Sequence, residues 1–112
     1  MSNESTAVAL YTDGTLLDYD ISEVNAESIN EIVGGWFQAV PVGQFTLWVN
    51  EEGKLLGLPH NEMAQVLWDK NYGKGTDYIV GNALITGGVD DEGETLGLTT
   101  EQRHDLIDLV MS

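Results

Sequence analysis

Cysteine is absent from the 112 residues, which excludes disulfides, thiolate zinc sites, iron–sulfur clusters and thiol catalysis together. Positive charge is nearly as scarce. Lys54, Lys70, Lys74 and Arg103 stand against 19 acidic side chains, giving a formal net charge of -15 and a pI near 4.1. Four scattered cations cannot form the basic footprint that direct nucleic-acid binding requires, nor dock on an anionic membrane. No run of about 18 apolar residues occurs, so no segment reads as a membrane span. The N-terminal MSNESTAVAL has neither the basic nor the apolar part of a secretory signal. The expectation is a cytoplasmic protein. Histidine is limited to His60 and His104, both on polar stretches without a positioned partner, which leaves general acid–base catalysis poorly supplied. No G-x-S-x-G elbow is present either. The chain is read as a non-enzyme without metal or cofactor.

What remains is an ordinary globular composition, 42% hydrophobic and 21% charged, at a length that suits one domain. The first five residues are polar and read as frayed. Asp13-Gly14 between two apolar runs predicts a hairpin over 6–11 and 15–20, closed by a primed turn. Ser22 reads as the cap of a helix over 23–33, with Gly34-Gly35 as its stop. Residues 36–42 read as a strand that Pro41 marks as an edge. Residues 45–49 and 55–58 read as a second hairpin around the loop 50–54. A helix over 60–70 follows, with Pro59 at its start and Met63, Ala64, Leu67 and Trp68 on one face. The apolar run 78–86 predicts a buried strand with a bulge at Gly81-Asn82. After the acidic loop 87–97, Thr99 and Gln102 predict a capping box for a terminal helix striped with Leu106, Ile107, Leu109 and Val110. The order β-β-α-β-β-β-α-β-α gives a single α+β domain with a mostly antiparallel sheet and three helices.

The acids supply the functional expectation. Glu23, Glu27 and Glu31 recur every four residues and so predict a row along one helix face. Like charges at that spacing cost a helix a few tenths of a kcal/mol per pair, which invites a reason such as steering to a basic partner. Asp90, Asp91 and Glu92 add a compact acidic loop. Its acids are consecutive rather than alternating, so it lacks calcium-loop spacing. Gly73-Lys74-Gly75-Thr76 likewise lacks the upstream glycine and strand of a phosphate-binding loop. Trp36, Trp48 and Trp68 read as core, with one of them a candidate interface anchor.

Leu47 to Ala64 (LWVNEEGKLLGLPHNEMA), the tryptophan of the second helix, Asp77 to Ile85 (DYIVGNALI) and Gly97 to Gln102 (GLTTEQ) together resemble a small-protein family of tailed phages and their hosts, the DUF3846 domain of unknown function. Gly53, Gly57, Leu58, Pro59, Asn61, Ala64, Gly81 and Asn82 carry the resemblance, which covers about half the chain. It implies a phage-associated protein and brings no assigned activity. The resulting expectation is a phage-encoded acidic protein, monomer or homodimer, that engages a host protein with a basic surface through Glu23, Glu27, Glu31, Asp90, Asp91 and Glu92. It would act as a nucleic-acid mimic or as an inhibitor of a defence or DNA-processing enzyme. The alternative is a small-molecule or nucleotide-binding domain with a polar cleft lined by Asn61 and Asn82, although capping and packing are the favoured explanation of both asparagines.

Overall fold

The computed structural model describes residues 6–111; the expected fraying of residues 1–5 lies outside them. Strands β1 (Thr6–Leu10) and β2 (Leu16–Asp20) form the first hairpin, and α1 (Ala26–Val33) follows. Strands β3 (Phe37–Val42) and β4 (Phe45–Asn50) form a second hairpin, then come α2 (Glu62–Tyr72), β5 (Ala83–Thr86) and α3 (Thr100–Met111). The sheet has five strands in the order β2-β1-β5-β4-β3, every neighbouring pair antiparallel. The α+β class and the single sheet agree with the sequence reading, with one strand fewer.

Alternation along the strands divides the core into two layers. Val8, Leu10, Leu47, Ala83 and Ile85 face α2 and α3, where Met63, Ala64, Leu67, Leu106 and Val110 cover them. Ala7, Ala9 and Leu84 face the other way, onto Ile29, Ile32 and Val33 of α1. The small side chains Ala7 and Ala9 let this short helix lie close to the sheet.

Local chemistry explains both the matches and the departures. The first hairpin is present, but Gly14 alone among its loop residues has positive φ, and Tyr11 N–H bonds the Thr15 carbonyl. That is a longer loop ending in a left-handed glycine, not a primed two-residue turn. The expected helix start at Ser22 is also corrected. Asp20 caps a single 3-10 turn, Ile21–Glu23, and Asn25 then caps α1 through Ser28 N–H. Gly34 stops α1 in the left-handed conformation, as expected.

The second hairpin is the largest correction. Residues 55–58 form no strand: Leu56 N–H bonds Glu52 C=O and Leu58 N–H bonds Gly53 C=O, coiling the segment into successive turns. Leu55 is 87% exposed. The true partner of β4 is β3, joined through Gly43 and Gln44 alone. Gly43 has φ +65° while Gln44 does not take positive φ, the pattern of a type II′ turn with glycine at its first central position. Helix α2 starts at Glu62 rather than at His60, because Asn61 is its cap. The predicted strand 78–86 shrinks to β5, since Gly81 at φ +80° breaks the run. Thr99 and Gln102 form the expected capping box of α3.

Candidate functional site

The sheet geometry places much of the acidic surface at one end. Asp20 pairs with Thr6, Glu23 follows in the 3-10 turn, and β5 leaves the sheet beside them at Thr86. The loop Gly87–Gly97 therefore springs from the same end, and Leu98 returns to bridge Thr6. Asp20, Glu23, Asp90, Asp91, Glu92 and Glu94 share this region, all exposed. Glu101 lies nearby in the first turn of α3.

The individual acids are less alike than their charges suggest. Glu23 does not continue a row with Glu27 and Glu31, because it lies in the separate turn and accepts from Asp20 N–H at 2.9 Å. Glu27 and Glu31 stay exposed on α1. Asp90 accepts from Glu92 N–H and Glu94 N–H, at 2.8 and 2.9 Å, so its carboxylate holds the loop together. Asp91 and Glu92 are exposed in the same loop, as are Asp90 and Glu94. Among the described residues, no three histidine or carboxylate side chains converge as a metal ion would require.

Asn61 is fully buried and committed. Its Oδ1 accepts from Ala64 N–H, and its Nδ2 donates to the carbonyls of Leu10 and Gly81, at 2.8 and 2.9 Å. Asn82 accepts from Thr12 N–H at 3.0 Å. These bonds tie α2, β1 and the approach to β5 into one unit, which is what a buried polar side chain must do to offset its desolvation. Neither residue lines the recess described below. The histidines stay at the surface. His60 Nε2–H donates to Gln65 Oε1 at 2.9 Å, since an amide oxygen can only accept. On the α1 face, Tyr11 and Tyr19 share a hydroxyl hydrogen bond of 3.0 Å, and burial followed by that bond pushes Tyr11 up to about 12. Trp36 is the exposed tryptophan, at 72%, while Trp48 and Trp68 are partly covered.

A recess of about 260 Å³ opens on the α2 side of the β3–β4 hairpin. Val40, Leu47 and Val49 form its floor, and Trp68 of α2 stands on one side. Trp68 is fixed there by its indole N–H donating to Thr76 Oγ1 at 2.9 Å and by the Tyr72 ring, 4.3 Å away between centroids. The turns after β4 bring Lys54 and Glu51 to the mouth, and the segment before β5 brings Asp77 and Tyr78. Lys54 forms an ion pair with Asp77 and also lies 4.4 Å from the centroid of the Tyr78 ring. The hydrogen bond from Lys54 holds the Asp77 carboxyl below its ordinary range. Most of the lining, from Leu47 to Lys54, Trp68 and from Asp77 to Val80, falls in the stretches that carry the family resemblance, with Gly53 among its carriers, whereas Gln38 and Val40 of β3 lie outside them.

Residues 8–111 match the model of a protein family described as Domain of unknown function (DUF3846). The match begins in β1, well before the stretch that carries the resemblance in the sequence. No curated protein and no solved structure matches the chain.

Proposed function

The chain belongs to the DUF3846 family, a domain of unknown function, and from that premise we propose that it is a binding protein whose acidic end engages a basic surface on a partner protein. The observation that carries this reading is the gathering of Asp20, Glu23, Asp91, Glu92 and Glu94 at one end of the sheet of a chain with net charge -15. Two of the four cations, Lys54 and Arg103, are paired with Asp77 and Asp18 and so neutralise those carboxylates rather than the acids named here. An acidic surface of this kind steers a cationic partner and discriminates against anionic ones. A nucleic-acid-handling enzyme of a phage-infected host has the required basic groove, and blocking it is the role we assign.

The test pairs charge reversal with ionic strength. Glu23→Lys with Asp91→Lys and Glu92→Lys should abolish capture of the partner from host lysate at low salt. Glu52→Lys, at the opposite end of the sheet, should leave capture intact. Wild-type binding should weaken by an order of magnitude or more as salt rises beyond about 0.15 M, where screening lengths fall below about 8 Å. Binding insensitive to salt, or lost equally in both variants, would refute the electrostatic reading.

A further inference from the structure

We propose that the recess between α2 and the β3–β4 hairpin is a binding site for a small organic ammonium compound with an apolar body, and that Lys54 occupies the cation seat when no ligand is bound. The inference is independent of the acidic end, which lies elsewhere on the molecule. It begins with what the mouth already holds. A primary ammonium sits between the Asp77 carboxylate and the face of Tyr78, 4.4 Å from the ring centroid, which is the pairing that recognises alkylammonium ligands. Glu51 adds a second carboxylate to the lining. Behind this seat the floor is aliphatic, Val40, Leu47 and Val49, with the Trp68 indole beside it. A ligand with a cationic head and a short hydrocarbon body would satisfy both parts at once.

Size and field narrow the class. A volume of about 260 Å³ lies just below the range of roughly 300–1,000 Å³ typical of drug-sized ligands, so a dinucleotide is too large. The net charge of -15 and the two mouth carboxylates oppose phosphates and carboxylates. Lys54 is held loosely enough to yield: the paired side chains of Lys54 and Asp77 are 45% and 40% exposed, and ion pairs so exposed are weak. A tethered lysine that leaves its seat exposes a site shaped for an untethered amine, and its tether makes it a competitor rather than a ligand group.

The experiment is an NMR titration of the full chain with isoamylammonium, following the Trp68 indole N–H and the methyl groups of Val40, Leu47 and Val49. Isocaproate and isoamyl alcohol, on the same hydrocarbon skeleton, serve as anionic and neutral controls. Isoamylammonium should shift these signals. Lys54→Gln should tighten its binding roughly fivefold, the factor expected from removing a competitor held by a rim ion pair and a cation–π contact. Asp77→Asn should weaken binding by a similar factor in the Lys54→Gln background, while its amide oxygen can still accept from Tyr78 N–H as the carboxylate does. Recess signals that stay still in Lys54→Gln overturn the proposal. So does equal affinity in wild type and Lys54→Gln, or a stronger response to isocaproate or isoamyl alcohol than to the amine.

Discussion

The two edges of the sheet are protected by different chemistry. On β2 the residues whose main chain faces outward are Leu16, Asp18 and Asp20, because Tyr11 N–H to Thr15 C=O sets the hydrogen-bonded register with β1. The Glu23 carboxylate takes the outward N–H of Asp20, and Arg103 of α3 clasps the Asp18 carboxylate with two bonds of 2.7 Å. On β3 the outward positions are Phe37, Ala39 and Pro41, as the bond from Glu51 N–H to Trp36 C=O fixes. Pro41 has no N–H to offer, and the Tyr72 hydroxyl covers its carbonyl. Among the described residues, Phe37 and Ala39 have no backbone partner on that side. One edge is therefore guarded by charge and the other by covalent geometry, both recognised defences against strand addition. The charged guard depends on pH and salt; the proline does not.

The largest effect should come from a residue that supports both edges. Asn61 bonds the Leu10 carbonyl in β1, next to β2, and caps α2, which carries Tyr72 to β3. Asn61→Ala withdraws a helix cap and two buried hydrogen bonds and should cost about 2–3 kcal/mol in urea unfolding. A loss under 1 kcal/mol would mean that the edges are held independently.

An intermediate effect separates the two guards. Asp18→Val with Asp20→Val should produce concentration-dependent self-association by sedimentation velocity at low salt. Pro41→Val should do so much less, because Tyr72 still covers the carbonyl there. The reverse ranking would place the weaker guard on β2.

The smallest effect concerns the Arg103–Asp18 clasp, whose side chains are 37% and 42% exposed. Arg103→Ala should cost only about 0.2–1 kcal/mol at pH 7. The hydrogen bond from Arg103 lowers the Asp18 pKa in the fold. Stability from this clasp is therefore fully present above the unfolded carboxyl value of about 4, and is lost as pH falls through the lower folded value. The gap between urea melts of wild type and Arg103→Ala should narrow as pH falls below about 4; a gap that widens instead would contradict the clasp.

Much of this architecture is legible in the sequence where punctuation is local. Asp13-Gly14 marks the first hairpin, Gly34 the end of α1, and the Thr99–Gln102 pair the start of α3. Gly43-Gln44 was equally legible as a two-residue turn between apolar runs, but the apolar Leu55–Leu58 competes for the same strand partner in a reading by pattern. Only structure shows that the backbone at Glu52 and Gly53 bonds along the chain instead. The acidic character is plain from composition, whereas its gathering at one end follows from pairings across the sheet, Thr6 with Asp20 and Thr6 with Leu98. No local pattern marks the recess as a cavity, although much of its lining falls in the stretches that carry the family resemblance. Val40, Trp68 and Asp77 come together only after β3, α2 and the approach to β5 have packed, and a lysine beside an aspartate 23 positions away leaves no periodicity to find.

The position of β5 also orders events in time. It is the last strand in the chain, yet it lies at the middle of the sheet and makes the only strand contacts between the two hairpins among the described residues. A nascent chain that ends before Ala83 holds two separate hairpins, each marginal alone in water. Their inner edges, β1 and β4, stay open during synthesis until β5 emerges between them. Folding must then proceed through pairings distant in sequence, which makes it slow for a domain of this size and leaves a window in which those open edges invite aggregation.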